Sequence, residues 1–246
     1  MMHTFIIHVS KGFEARRQHI DTHLPAMGVR NFEYVLDGDI DFVKSKVSES
    51  FFSESLSWAQ RSCFYKHYLA MKMVVDRGLP YALVLEDDAL LVKDFSEKLQ
   101  RITEQLTAEK NYFVNIEQAS NAVPFSFRKP GKLIYPCKVN KLCGGILYDY
   151  TFAKACTEYI ESKKVTAPID GFIGNERCSI GFNLFWAEPS LVKQGSKSGL
   201  FDSGISQEKS GVYLSTKSLF KNLYRIYVLS NFKKKQKELF MNVERF

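Results

Sequence analysis

The stretch Tyr81-Ala82-Leu83-Val84-Leu85-Glu86-Asp87-Asp88-Ala89-Leu90-Leu91 decides the fold. Five residues in unbroken apolar succession, preceded by Gly78 and Pro80, have the length and character of a strand buried on both faces. Such a strand belongs in the middle of a layered α/β sheet. Three carboxylates follow at once. Side by side at the carboxyl end of a buried strand they repel one another unless a positive group sits among them. Open α/β sheets also receive their ligands at that end. Mg²⁺ or Mn²⁺, which prefer oxygen ligands, would supply the missing charge. The competing reading is an acidic turn left in solvent.

Strand and helix alternate outward from this run. Residues 4–9 read as a strand, 13–24 as a helix and 31–36 as a second strand closed by the turn Asp37-Gly38-Asp39. Residues 39–57 have no clear period and read as a loop or short helix. A helix is expected from Trp58 to Arg77, with Gly78 in the helix-ending position. Further helices are expected at about 94–108 and 150–163, and strands at 111–116, 144–148 and 182–187. The pattern predicts an α/β fold, a mostly parallel sheet sandwiched by helices.

The 246 residues are 45% hydrophobic and 25% charged, a globular composition. No apolar run reaches the roughly 18 residues of a spanning helix. The first residues, MMHTFIIHVSKGFEARR, lack the basic segment and cleavage site of a signal peptide. Cys63, Cys137, Cys143, Cys156 and Cys178 are scattered and form no CxxC pair, which suits reduced cytosolic thiols rather than disulfides or a structural zinc site.

The net charge of +7 is unevenly placed. Residues 211–246 hold eight basic side chains against Glu238 and Glu244, so +6 lies in the tail and +1 in the first 210 residues. A near-neutral body argues against a nucleic-acid partner. The division expected is a domain over 1–210 and a basic amphipathic tail over 211–246. In that tail Lys217, Lys221 and Arg225 share one helical stripe, with Phe220, Leu223 and Tyr227 on an apolar side. Such a helix suits an anionic membrane surface, and Lys233-Lys234-Lys235 adds attraction of about 1 kcal/mol per charge. An ordinary solvated helix packed on the domain is the alternative.

Several stations together resemble a known family. Ala59-Gln-Arg-Ser-Cys-Phe-Tyr-Lys-His67, followed by Gly78 to Leu91, resembles glycosyltransferase family 25, the bacterial lipooligosaccharide glycosyltransferases. Phe5-Ile6-Ile7-His8 with Arg16-Arg17, Cys143-Gly144-Gly145-Ile146-Leu147-Tyr148, Ala167-Pro168-Ile169-Asp170 and Glu188 to Gln194 with a later Ser206 look like further family elements, in order. The resemblance spans roughly residues 4–208. Two positions depart from it: Lys66-His67 stands where the family has Ser-His, and Gly144-Gly145 where it has Gly-Thr.

The resemblance implies a GT-A-like domain that transfers a hexose, galactose first and glucose next, from a UDP-sugar. The implied acceptor is a terminal sugar of a lipid-linked core oligosaccharide, and the implied location is cytoplasmic, peripheral on the inner face of the cell membrane. It implies a divalent Mn²⁺ or Mg²⁺ held by Asp88, with Gln194 as a weaker ligand, and inversion at the transferred sugar. Glu86 and Asp87 would reach the metal, ribose or sugar hydroxyls. Arg16 and Arg17 suit the diphosphate, since guanidinium binds phosphate bidentately; a solvated helix face is their other reading. Gly144 and Gly145 would border the sugar. Asp170 is either the general base or an N-cap, and Glu117 is the reserve base or a ligand of the acceptor hydroxyl. His67 is either a structural histidine or a donor contact. Trp58, Trp186, Tyr148 and Phe172 are sugar-stacking or core aromatics. Two rivals share these carboxylates: a metal-dependent phosphohydrolase, and a carbohydrate- or membrane-binding protein that has lost turnover.

Overall fold

Residues Tyr81–Glu86 form the strand that the apolar run requires, and Ala82 to Leu85 have no solvent exposure. The structure, a computed structural model, describes residues 2–119 and 121–201 and, beyond them, 216, 220, 223, 224, 228 and 238–240. In chain order the strands are β1 (His3–Ile7), β2 (Phe32–Val35), β3 (Tyr81–Glu86), β4 (Ala89–Leu91), β5 (Tyr112–Asn115), β6 (Ile134–Pro136), β7 (Gly145–Asp149), β8 (Asn183–Ala187) and β9 (Val192–Gln194). The helices are α1 (Glu14–Ala26), α2 (Ile40–Lys46), α3 (Trp58–Asp76), α4 (Phe95–Gln105), α5 (Tyr150–Ser162), α6 (Ile169–Asn175) and α7 (Arg177–Ile180).

Seven strands make one sheet in the order β2-β1-β3-β7-β5-β8-β6. β3 pairs parallel with β1 and antiparallel with β7; β7 and β6 oppose the other five. The expected α/β sheet is therefore present and mostly parallel. Alternation along β3 divides the core in two. Ala82 and Val84 pack with Phe64, Met71 and Val74 of α3 and Phe152 of α5. Leu83 and Leu85 pack with Ile20 and Leu24 of α1 and Phe95, Leu99 and Ile102 of α4.

The longest helix is held at both ends by local chemistry. Ser57 and Gln60 form a capping box at the start of α3. Gly78, at φ +59°, ends it, with the Leu79 N–H returning to the Val74 carbonyl.

Two features were not visible as strands. Ala89–Leu91 pairs antiparallel with Val192–Gln194, opposing Ala89 to Gln194. That small second sheet carries residues about 105 positions apart to the end of β3. Ile134–Pro136 is an edge strand, where a proline costs no ladder bond.

Most of the basic tail lies outside the described residues. Of those described, Phe220, Leu223 and Tyr224 are exposed. Phe240 is buried, with its ring 5.1 Å from that of Trp186, and the Lys138 N–H donates to the Leu239 carbonyl at 2.7 Å. The chain thus returns to the β6 edge near its end.

Candidate functional site

A cavity of about 420 Å³ opens at the carboxyl ends of β1 and β3, within the range of small-molecule sites. Its wall includes Arg16 of α1, Glu86 to Asp88, Asp170 of α6 and Gln194 of β9.

The three carboxylates of Glu86-Asp87-Asp88 have separate fates. Asp87 is 4% exposed, and both its oxygens are engaged. Oδ1 accepts from Arg16 Nη1 and Oδ2 pairs with His8 Nδ1, each at 2.8 Å. The positive group that the sequence demanded among these carboxylates is therefore Arg16, and with His8 it serves Asp87. Asp88 is 2% exposed; its Oδ2 accepts from the Ser196 N–H at 3.0 Å and the Ser196 hydroxyl at 2.5 Å, while Oδ1 is buried with no hydrogen-bond partner. Burial and the Glu86 charge raise the Asp88 pKa; Ser196 and Arg16 oppose that rise. Glu86 accepts from Gln194 Nε2 at 3.2 Å through Oε2 and turns Oε1 toward α3.

This donor set fits a hard divalent cation. Asp88 offers an unpartnered buried oxygen at the cavity wall, and Glu86 stands beside it, which suits Mg²⁺ or Mn²⁺. Gln194 acts here through its hydrogen bond to Glu86.

The arginine pair divides. Arg16 faces the cavity and lies over the Phe13 ring at 4.7 Å. Arg17 is exposed, stacks on Tyr34 at 4.9 Å and is absent from the cavity wall. Asp170 lines the cavity from the second position of α6. Pro168 is the N-cap residue, so the capping role considered for Asp170 is corrected; its Oδ1 accepts from the Gly171 N–H at 2.9 Å.

Glu117 is fully buried and lies behind the wall. Oε2 accepts from the Gly144 N–H at 2.7 Å, and Oε1, without a hydrogen-bond partner, lies 4.0 Å from Lys197 Nζ. Burial pushes its pKa up to about 8, against the pull of Lys197. Glu117 is not among the residues that line the cavity.

The two glycines expected beside the sugar are closely packed on their protein side. A Cβ on Gly144 would stand 2.8 Å from Gln194 Nε2 and 3.0 Å from Glu117 Oε2, and one on Gly145 would stand 2.9 Å from Val192. Trp186, Tyr148 and Phe172 are core residues; only Trp58 of the four aromatics is exposed, with Arg61 over its ring at 4.4 Å.

His67 is 2% exposed, with Nε2 unpartnered and 3.8 Å from Glu86 Oε1. Its neighbour Lys66 is the buried residue that sequence reading passed over. From α3 its Nζ donates to the carbonyls of Val35, Leu36 and Asp37 at 2.7–3.1 Å and pairs with Asp39 at 3.0 Å. It fixes the turn after β2 against the cavity wall. Ser196 was also missed. Its partner lies 108 positions away, and only the pairing of β4 with β9 joins them.

With this geometry in view, comparison with known proteins places the chain. The sequence profile of glycosyltransferase family 25, described as LPS biosynthesis protein, matches residues 1–135, more than half of the chain. The chain belongs to glycosyltransferase family 25. The matched region carries Arg16, His67 and Glu86 to Asp88 and ends before β7, Asp170 and Gln194. The lacto-N-neotetraose biosynthesis glycosyltransferase LgtE of Neisseria meningitidis is 37% identical over 65 residues, 25% of this chain and 23% of that protein. A human protein named inactive glycosyltransferase 25 family member 3 is 39% identical over 56 residues, 23% of this chain and 9% of that one. The matched stretches thus span a quarter or less of these family 25 relatives. Among solved structures, a mannose-1-phosphate geranyltransferase from Thermus thermophilus aligns over 84% of this chain and 80% of its own, at 9% identity and a TM-score of 0.38, too distant a likeness to carry a functional argument.

Proposed function

We propose that this family 25 chain transfers a hexose, galactose before glucose, from a UDP-sugar to a terminal sugar of a lipid-linked core oligosaccharide. The observation that carries the reading is the buried, unpartnered Oδ1 of Asp88 on a cavity wall that also bears Arg16. A nucleoside diphosphate bridged to a cation has the complementary charges. A divalent ion bound at Asp88 would supply Lewis-acid neutralisation of the departing diphosphate.

The chain's own residues account for the rest. Arg16, braced by Asp87, directs its guanidinium at the diphosphate. Asp170 takes the proton of the acceptor hydroxyl as that oxygen bonds to the anomeric carbon, and the bond from that carbon to the phosphate oxygen breaks in the same displacement. One displacement inverts the anomeric centre. Exposed Phe220, Leu223 and Tyr224, within the +6 segment, support a peripheral place on the anionic inner face of the membrane. Among the described residues no helix is long and apolar enough to cross a membrane.

A screen of UDP-sugars for UDP release, with Mn²⁺ and with EDTA, tests the proposal. Release from one sugar, lost in EDTA and reduced roughly 10²–10⁴-fold by Asp170→Asn with donor affinity kept, is expected. Donor binding without release from any sugar, on any acceptor, would place the chain with its inactive human relative.

A further inference from the structure

Cys63 and His67 are four apart on α3 and therefore share one helical face. That face meets the end of β3. His67 Nε2 lies 3.8 Å and Cys63 Sγ 3.9 Å from the same oxygen, Glu86 Oε1, and the three ligand atoms all fall within 4.8 Å of one another. Thiolate, imidazole and carboxylate bound to one tetrahedral zinc ion stand roughly 3.3–3.6 Å apart, from bond lengths of about 2.0–2.3 Å. The two distances to Glu86 need to close by up to about half an ångström, and the distance between Cys63 and His67 by no more than about 1.3 Å, to meet that geometry.

Three observations point to a ligand rather than to packing. The imidazole is buried with an unsatisfied nitrogen aimed at a carboxylate, a costly arrangement unless something fills the gap. Four carboxylates, Glu86, Asp87, Asp88 and Asp170, share the cavity wall with Cys63, against the cations Arg16, Lys66 and Lys197. The donor atoms also differ in kind from those at Asp88. Sulfur and imidazole nitrogen select zinc-like ions, whereas carboxylate and hydroxyl oxygen select Mg²⁺ or Mn²⁺.

We propose that Cys63, His67 and Glu86 form a second cation site, for a soft divalent ion such as Zn²⁺, distinct from the hard-cation site at Asp88. Cys63 and Glu86 both line the cavity, so three protein ligands leave a fourth position for water from that side. As the sulfur–metal bond forms, the thiol proton passes to solvent, and binding strengthens as pH rises. The site goes beyond the transferase reading and does not depend on it.

The test uses full-length, EDTA-stripped protein and metal alone. Co²⁺ should bind at one equivalent with a thiolate-to-cobalt charge-transfer band that Zn²⁺ abolishes by displacement. Cys63→Ser should remove the band and weaken Zn²⁺ by at least roughly the hundred-fold seen when a metal site loses even an outer-shell partner. Cys178→Ser, at an exposed thiol, and Asp88→Asn should keep both. Because His67→Ala opens a buried position, its reading is paired with wild-type protection, in which Zn²⁺ should shield Cys63 from iodoacetamide by peptide mass spectrometry. A band that survives Cys63→Ser, or equal alkylation of Cys63 with and without Zn²⁺, overturns the proposal. UDP release plays no part in these readouts, so failure here and failure of the transferase reading remain separate results.

Discussion

Asp87 and Asp88 are consecutive, almost equally buried, and served in opposite ways. Asp87 sits on the α1 side of the cavity with both oxygens paired to His8 and Arg16. Asp88 sits on the β9 side with one oxygen tied to Ser196 and the other alone. The contrast extends beyond these two residues. The α1 wall carries an ion pair, while Asp88 Oδ1 on the cavity wall and Glu117 Oε1 and His67 Nε2 behind it lack a hydrogen-bond partner. Buried polar atoms in native proteins are overwhelmingly satisfied. The two proposed cation sites rest on two of these atoms, Asp88 Oδ1 and His67 Nε2.

The widest separation between the two aspartates should come from paired substitutions. Asp88→Asn should lower transfer by several kcal/mol, roughly 10³-fold, and leave Tm unchanged or higher because it relieves repulsion with Glu86. Asp87→Asn should instead strip Arg16 and His8 of a buried partner, at a cost of roughly 3–5 kcal/mol. For a chain of this size that is on the order of 10 °C in Tm. Activity assays and thermal melts on both variants read the difference, and a thermally silent Asp87→Asn would erase the distinction drawn here.

A smaller effect sharpens the same contrast through pH. Glu117 titrates near 8 in the folded chain against an ordinary 4.5. The folded state holds a proton that the unfolded state has released. The associated stability is complete below pH 4.5 and is lost as pH rises through 8, at up to about 1.4 kcal/mol per pH unit. Glu117→Gln keeps an acceptor for the Gly144 N–H and removes the titration. Urea melts from pH 5 to 8.5 should show the variant gaining on wild type as pH rises, with transfer at pH 7 kept within a few-fold. Parallel stability curves would mean that Glu117 is ionised.

The smallest expected effect concerns the tail. Cutting the chain near residue 216 would also remove Phe240 from its place on Trp186, so charge reversal is the cleaner probe. Lys233, Lys234 and Lys235 changed together to Glu should weaken sedimentation with anionic vesicles by about 1 kcal/mol per charge or more. The difference should shrink as salt rises, since screening acts over about 8–10 Å at 0.10–0.15 M. Equal sedimentation at low salt would leave the tail a solvated segment.

How far the sequence could be read follows from the range of each interaction. β3 and α3 were legible because a continuous apolar run and a terminal glycine are local signals. The acidic cluster on the cavity wall was legible because Glu86, Asp87 and Asp88 adjoin one another in the chain. Ser196 and the β4–β9 pairing were not, since three-residue strands carry almost no pattern and their register joins positions about 105 residues apart. What packs against Gly144 and Gly145 was hidden for a related reason. A glycine reports that something comes close, without saying whether it is substrate or, as here, Glu117 and Val192. The i, i+4 spacing of Cys63 and His67 was in plain view, but only the fold puts Glu86 opposite it.

Lys66 has a mechanical consequence. Its ammonium holds three carbonyls of the turn after β2 and the Asp39 carboxylate from a position on α3 that is 1% exposed. Swinging that turn away from α3 would strip a buried cation of its partners, a cost of roughly 3–5 kcal/mol. Ile40 at the start of α2, together with Ala59 and Cys63 on α3, therefore travels as one rigid jaw of the cavity.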